Sequence, residues 1–343
     1  MSNLLTITKP DDWHLHLRDG EMLAAVLPYT SNVFSRAVVM PNLSPPVNTI
    51  AKANDYRQRI VASLPSGAVF TPLMTCYLTD NLDSKELLEG HREGVFTAAK
   101  LYPAGATYNS DSGVSAVTKI YPVLETLQTI GAPLLVHGEV VDPDIDIFDR
   151  EAVFIERVMI PIRRDFPALR IVFEHVTTRE AVQYVESQNK GVAATITPHH
   201  LIINRNAIFA GGIRPDRYCL PVAKRETHRL ALRRAATSGD RRFFLGTDSA
   251  PHLDRLKYAE CGCAGIFNAP TALSCYAQVF DEENALDKLE AFASLNGPEF
   301  YKLPINTETI TLAKSQHTVP NEISVSGDRV RVFDPQPLDW AIV

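Results

Sequence analysis

No stretch of the chain approaches the roughly 20 consecutive apolar residues that a membrane-spanning helix requires. The first ten residues, Met-Ser-Asn-Leu-Leu-Thr-Ile-Thr-Lys-Pro, also lack the charged leader and long apolar core of a secretory signal. A cytoplasmic protein with no membrane partner is expected. Basic runs are missing too: 34 Lys and Arg stand against 40 Asp and Glu, for a net charge of -6. Nucleic acid is therefore not an expected partner, and a small polar substrate fits better. Cysteine is scarce and odd in number, five in all (Cys76, Cys219, Cys261, Cys263, Cys275), which points to free thiols in a reducing compartment. Cys261-Gly-Cys263 is spaced more tightly than a structural zinc pair and has no second Cys or His pair nearby. It reads as small packed residues in a loop.

What remains is an ordinary globular composition, 343 residues with 45% hydrophobic and 22% charged, long enough for one large domain or two modest ones. The run Asp11-Asp-Trp-His-Leu-His-Leu-Arg-Asp-Gly20 stands out. On a β-strand successive side chains alternate between faces, so His14, His16 and Arg18 share one side and Leu15 and Leu17 the other. Two imidazoles one strand repeat apart can hold one metal ion, with a guanidinium above them for an anionic substrate.

The rest of the chain alternates short apolar runs with helical patterns. Strands are expected at 4–8 continuing into 13–17, then at 36–42, 68–78, 97–102, 133–139, 169–175, 192–197 and 242–248. Helices are expected at 20–27 (ended by Pro28), 48–63, 83–93, 114–130 (stopped by Gly131), 149–166, 179–187 and 225–236. Continuous apolar runs such as Arg36-Ala-Val-Val-Met-Pro-Asn42 suit strands buried on both faces. Eight strands alternating with helices predict a (β/α)8 TIM barrel over residues 1–303. Residues 304–343, with turn signals between short β-like runs, read as a C-terminal extension packed on the barrel.

In such a barrel catalysis sits at the C-terminal ends of the strands. Polar residues end otherwise apolar runs there: His14 and His16 on the first, Asn42 on the second, Lys100 on the fourth, His137 on the fifth, His175 on the sixth and Asp248 on the eighth. Four imidazoles, a carboxylate and a lysine suit two zinc-like ions. A lysine ammonium has no lone pair, so Lys100 fits only as a carbamate, whose two oxygens can bridge two metals. Two bridged ions can activate a hydroxide and polarise a carbonyl, with Asp248 moving the proton.

This constellation resembles the amidohydrolase superfamily. Its flanking runs, Asp12-Trp-His-Leu-His-Leu-Arg-Asp19, Met40-Pro-Asn-Leu43, Lys100-Leu-Tyr-Pro-Ala104, Val136-His-Gly-Glu139, Phe173-Glu-His175, Gly246-Thr-Asp-Ser-Ala-Pro-His252 and Cys261-Gly-Cys-Ala-Gly265, resemble the shorter bacterial type of the dihydroorotase family. The resemblance runs from about residue 3 to beyond 300. It implies two zinc ions per subunit: one held by His14, His16 and Asp248, the other by His137 and His175, both bridged by Lys100 as N6-carboxylysine. It further implies Arg18, Asn42 and His252 on the substrate α-carboxylate, main-chain contacts at Leu220 and Ala264, and His137 and Thr107 also near substrate. The implied reaction is the reversible cyclisation of N-carbamoyl-L-aspartate to dihydroorotate plus water in pyrimidine synthesis, with Asp248 as general acid and base. A homodimer is expected on the same ground. Two alternatives stand beside this reading: another cyclic amidohydrolase of the hydantoinase or dihydropyrimidinase type, and a non-catalytic barrel that binds a partner.

The loop Pro103 to Gly113 is rich in small residues and reads as a lid. Thr107 matches one of the two hydroxyl residues of the family's lid, and Tyr108 stands where the second is common. His199-His200 follows the seventh strand, where neighbours on an extended chain would face apart, so packing or support is expected of them. His91, His228 and His317 are expected in solvent, and the charged stretch Lys224 to Arg234 on the outer face of the barrel.

Overall fold

The computed structural model describes residues 4 to 343. After an N-terminal strand β1 (Leu4–Thr8), eight parallel strands form one sheet in sequence order: β2 (Asp12–Leu15), β3 (Arg36–Val39), β4 (Thr71–Tyr77), β5 (Ala98–Leu101), β6 (Leu134–Val136), β7 (Ile171–Phe173), β8 (Val192–Ile196) and β9 (Phe243–Leu245). The two edges meet just past the strands themselves. Asp248 N–H donates to His14 C=O at 2.7 Å and His16 N–H to Ser249 C=O at 3.0 Å. A parallel bridge from Leu15 to Ser249 completes the seam. The sheet is therefore closed into the (β/α)8 barrel that the alternating pattern predicts, and β6, β7, β8 and β9 are buried at every residue.

Side-chain alternation sorts the strands into two layers. Val38, Met40, Ala98, Leu135, Val172, Ala193 and Phe244 fill the barrel interior, whereas Leu15, Val39, Ala99, Leu134 and Val136 pack outward beneath the helices. Trp13 breaks the simple alternation. It joins the interior cluster although Leu15, two residues on, faces outward. The pairing of β2 with β3 shifts between Asp12 and Leu15, and an extra residue of this kind re-aims the side chains beside it. The bulge lets Trp13 plug the interior while His14 and His16 still reach the site above. Trp13 stacks on Tyr301 with ring centroids 4.3 Å apart and meets Phe244 edge-on.

Helix ends and irregularities follow local chemistry. Thr49 and Thr178 cap the helices Ile50–Ala62 and Arg179–Ser187 by accepting from Lys52 N–H and Ala181 N–H. Gly131, at φ 71°, ends the helix Tyr121–Ile130 as expected. Pro28 does not stop its helix, which runs Gly20–Ser31 with the proline inside. Leu27 and Thr30 are buried on either side of it, so packing outweighs the lost N–H bond. The expected helix 149–166 contains a π-helical turn, Ile155–Met159, directly before Ile160-Pro161; a second π turn, Ala291–Leu295, precedes Pro298. A wider turn relieves the clash between a proline ring and the preceding carbonyls.

Beyond the barrel, β10 (Thr309–Lys314) pairs antiparallel with β1 over all five of that strand's residues and with the terminal strand at Trp340–Ile342. Between them a hairpin joins Glu322–Val325 to Asp328–Arg331. Arg329 and Arg331 of that hairpin reach Asp254 at 2.6 and 3.1 Å. Asp254 begins the short helix Asp254–Lys257 that follows the eighth barrel strand's loop.

Close packing at the interior plug gives a stability test. A Cβ placed on Gly297 would lie 1.9 Å from Trp13 Nε1, which no rotamer change of a stacked indole can relieve. Gly297→Ala is expected to destabilise the fold by about 1 to 3 kcal/mol through overpacking, read as a lowered midpoint in urea unfolding.

Candidate active site

Six of the eight barrel strands deliver a polar residue near or just beyond their C-terminal ends, and these residues converge. His14, His16 and Asp248 bring their ligand atoms within 4.8 Å of one another. Asp248 Oδ1 lies 3.1 Å from His16 Nε2 and 3.4 Å from His14 Nε2. The His14 ring centroid is 4.9 Å from that of His175, which is 4.9 Å from that of His137. A narrow cavity is lined by His14, His16, Arg18, Asn42, Thr107, His137, His175, Leu220, Asp248 and Ala264, together with Tyr102 and Tyr108. Lys100 is fully buried, and its charge acts on both His14 and His175. His252 touches the group from behind Arg18.

The far nitrogen of three of the four imidazoles is fixed from outside. His14 Nδ1 meets Glu174 Oε2 at 2.9 Å, His16 Nδ1 meets Asn42 Oδ1 at 2.8 Å, and His137 Nε2 meets Glu139 Oε2 at 2.8 Å. Orientation by an outer carboxylate or amide is the usual support for a metal-ligating histidine. It leaves Nε2 of His14 and His16 and Nδ1 of His137 free for the cavity. Glu174 is held in turn by Thr195 Oγ1 at 2.5 Å, and Thr195 Oγ1 accepts from His175 N–H at 2.7 Å. Below the site Asp12 accepts from Thr247 N–H, Thr247 Oγ1 and His14 N–H.

Protonation follows burial and neighbours. Burial pushes the Lys100 ammonium down to about 8. His16 falls to about 4 and His175 well below its ordinary range, both chiefly by burial. Burial would raise Asp248, yet its bonds to His14 and His16 outweigh that and hold it well below the usual carboxylate range. Burial and Lys100 oppose a proton on His14, but Glu174 and Asp248 draw its pKa upward. Asp12 rises to about 7 through burial, against its three hydrogen bonds.

The residues present fit a bound cation. Lys100 Nζ, His175 Nδ1 and Glu174 Oε1 are buried without any hydrogen-bond partner, and an unpaired buried polar group costs about 1 to 3 kcal/mol. Imidazoles, an ionised carboxylate and an amine whose pKa burial lowers to about 8 form a donor set for borderline divalent metals. Backbone strain gathers at the same place: Arg18, Asn109, His175 and Asp248 have φ of 58°, 55°, 40° and 45°. Such conformations persist where function over-determines them.

Beside the imidazoles lies the Arg18 guanidinium. Arg18 Nη2 is 2.9 Å from His252 Nε2, and Arg18 Nε donates to Pro251 C=O at 3.1 Å. His252 Nε2 also lies 3.0 Å from Ala264 C=O; one nitrogen cannot both accept from Arg18 and donate to a carbonyl. Burial and then Arg18 hold His252 well below its ordinary pKa, which favours the neutral ring accepting from Arg18. Tyr108 packs edge-on against His252, with centroids 4.7 Å apart, and under the Arg18 guanidinium at 5.3 Å. Its C=O accepts from Asn42 Nδ2 at 3.0 Å, while Asn109 Nδ2 donates to Asn42 C=O at 3.0 Å. The loop 103–113 thus lies against Arg18, Asn42 and His252.

Several positions differ from their sequence reading. His199 and His200 lie on a short helix, Pro198–Ile202, capped by Thr197, and their rings are 4.4 Å apart instead of facing away from each other. They and Cys219 form a second compact group, but His200 uses both nitrogens, on Thr197 Oγ1 and Pro221 C=O. Lys224 and Arg233 are buried, the first donating to Val222 C=O and the second paired with Glu282 and Glu283. His228 is partly buried and accepts from Arg179 N–H. Cys261 is exposed. Among the described residues no helix is long and apolar enough to cross a membrane. The supporting carboxylates Glu139 and Glu174 were not assigned a role from sequence, although each sits within two residues of a site histidine.

Comparison with known proteins agrees with this geometry. The amidohydrolase family pattern matches residues 8 to 315. The chain is 64% identical over 342 residues to a dihydroorotase of Synechococcus sp. (strain CC9605), covering 100% of this chain and 97% of the relative. It is 59% identical to one of Erythrobacter litoralis (strain HTCC2594), covering 100% of each. Among solved structures it is similar to dihydroorotase of Saccharomyces cerevisiae in complex with 5-fluoroorotic acid, with a TM-score of 0.91, 32% identity and coverage of 99% and 98%. The dihydroorotase of Campylobacter jejuni gives 0.90, 35%, and 100% and 98%. An L-hydantoinase (dihydropyrimidinase) of Arthrobacter aurescens shares the fold at a TM-score of 0.81 but only 14% of residues over 99% and 83%. The chain belongs to the amidohydrolase family, on its dihydroorotase branch.

Proposed function

We propose that the chain catalyses the reversible ring closure of N-carbamoyl-L-aspartate to dihydroorotate and water. The observation that carries the substrate assignment is the Arg18–His252 contact in the wall of the cavity that holds His14, His16 and Asp248. A cyclic amide without a carboxylate would give that buried guanidinium nothing to bind. Arg18, Asn42 and His252 hold the substrate α-carboxylate, the guanidinium fork supplying paired donors. Main-chain groups of Leu220 and Ala264 meet the ring, and Thr107 reaches it from the lid. For Asn42 this means exchanging Tyr108 C=O for the substrate oxygen, so binding and lid contact share one amide.

His14, His16 and Asp248 would hold one zinc ion, His137 and His175 a second, with Lys100 carboxylated between them. When bound, the ions supply Lewis acidity toward the amide carbonyl and lower the pKa of water. A carbamate forms only from a neutral amine, and burial brings Lys100 toward that form. In hydrolysis water adds to the ring amide carbonyl, and Asp248 carries its proton to the leaving nitrogen. In ring closure Asp248 takes the proton from the attacking ureido nitrogen and returns it to the departing oxygen. The low pKa of Asp248 leaves its carboxylate ready to accept.

We read residues 1–303 as the catalytic barrel and 304–343 as an extension packed on it, a reading supported by the ion pairs of Arg329 and Arg331 with Asp254. A homodimer rests on the family resemblance, and a cytoplasmic location on the five free cysteines.

Given dihydroorotate, dihydrouracil and hydantoin in parallel, the zinc-loaded protein is expected to turn over dihydroorotate fastest; no turnover with metal content confirmed would sink the assignment. Lys100→Ala is expected to bind fewer than two ions by elemental analysis and to lose at least about 100-fold in kcat/KM, corresponding to about 2.7 kcal/mol of transition-state stabilisation. Two ions with full activity would contradict the bridging role. Ring closure consumes one carboxylate charge and one proton, so acid favours dihydroorotate and alkali favours N-carbamoyl-L-aspartate. Chromatography of equilibrated mixtures checks this, and a ratio that ignores pH would contradict the stoichiometry.

A further inference from the structure

Lys257 ends the short helix Asp254–Lys257 and has no place in the chemistry above. Its side chain is buried, and its ammonium meets three backbone carbonyls: Gly265 at 2.7 Å, Tyr218 at 2.8 Å and Cys263 at 2.9 Å. An ammonium has three donors and no acceptor, so these contacts use it completely. The carbonyls come from two segments more than 40 residues apart in sequence, one leading to Leu220 and the other surrounding Ala264. Gly265 N–H also donates to Tyr218 C=O at 3.0 Å, so the segments meet at one oxygen.

The wall formed in this way bears directly on the Arg18–His252 contact. Leu220, Ala264 and Gly265 line the cavity, and Ala264 C=O is 3.0 Å from His252 Nε2. A Cβ on Gly265, whose φ is 151°, would lie 2.8 Å from Ala250 C=O and 2.9 Å from His252 Nε2. The backbone is thus pressed against the imidazole that accepts from Arg18. Gly262 is equally tight, since a Cβ there would meet Lys257 C=O at 2.6 Å.

We propose that Lys257 is a positioning residue for substrate recognition: its ammonium ties segments 218–220 and 263–265 into one wall, and through Ala264 and Gly265 it sets His252 and Arg18. The proposal rests on the reading of Arg18, His252, Leu220 and Ala264 as substrate contacts. It also gives recognition a pH dependence. Asp216 favours the charge on the ammonium, the Cys219 and Cys263 thiols near it are pushed up by burial and stay neutral near pH 8, and the Tyr218 ring lies 5.8 Å away. Burial, aided by Arg18, opposes the charge and pulls Lys257 down to about 8; His252 is neutral over this range. Asp254 is already engaged by Arg329 and Arg331. Below that pH three donors serve three carbonyls. Above it two donors remain, and the wall loosens on the alkaline side.

The test is steady-state kinetics of the zinc-loaded full chain with dihydroorotate from about pH 6.5 to 9.5, with bound zinc measured for each protein. Lys257→Met is expected to raise KM about tenfold at neutral pH, as loss of a charged hydrogen-bond donor does, with kcat changed less than about threefold. The alkaline rise in KM, present in the wild type above about pH 8, is expected to vanish in it. Lys257→Arg keeps the charge and is expected to recover part of the affinity without the alkaline rise. A Lys257→Met KM within about twofold of wild type, or a loss confined to kcat, would overturn the proposal. If that variant does not fold, a wild-type KM flat across the range, or Lys257→Arg keeping the alkaline rise, overturns it equally. A wild type that turned over no dihydroorotate would remove the site reading itself, a distinct failure.

Discussion

The seam where the first barrel strand meets the last is the constraint on which the site depends. Two backbone hydrogen bonds, Asp248 N–H to His14 C=O and His16 N–H to Ser249 C=O, close the sheet between the residues whose side chains converge above it. Closing the barrel and assembling the proposed metal shell are one event, because the same three residues do both. Asp12 reinforces the seam from below by bonding Thr247 and His14 together. A one-residue slip would send His14 and His16 to the helix-facing layer, and the bulge beside Trp13 fixes the register against it.

Around the seam, the polar groups are arranged in two shells with different tasks. Burial keeps His16 and His175 neutral, whereas Glu174 and Asp248 draw the pKa of His14 upward, and the imidazoles once deprotonated present lone pairs to the cavity. The outer groups, Glu174, Glu139 and Asn42, hold the opposite ring nitrogens so that those lone pairs aim at one volume. Lys100 stands apart because no hydrogen-bond acceptor among the described residues takes its protons, and only the Tyr102 ring lies over it at 5.0 Å. An amine left this way in the interior is unfavourable as a cation, which is the physical reason to read it as the one ligand that must be chemically altered.

The barrel and its site were legible in the sequence to unequal degrees. Six of the eight apolar runs that became strands carry a polar residue near their end, so His137, His175 and Asp248 could be placed at strand ends without coordinates. Trp13 could not be placed, because a bulge leaves no periodic trace when one residue is inserted into a run of four. Pro28 was misread as a stop, since the packing of Leu27 and Thr30 is a tertiary effect that overrides a local breaker. His199 and His200 were read as extended, although Thr197-Pro198 before them is the cap and first position of a helix. Glu139 and Glu174 lay inside motifs that were recognised, yet sequence gives no sign of which histidine nitrogen a carboxylate will take. Lys257 was invisible for a similar reason: its partners are carbonyls, which every residue possesses.

The small sheet at the chain ends ties the site to the history of the molecule. Thr6 and Thr311 touch through their hydroxyls at 2.9 Å across 305 positions of sequence, and three residues after β1 ends the strand bearing His14 begins. During synthesis β1 has no partner until some three hundred further residues have left the ribosome. The strand bearing His14 waits in the same way for Asp248 and Ser249, so the barrel stays open at its leading edge until the eighth barrel strand has been made.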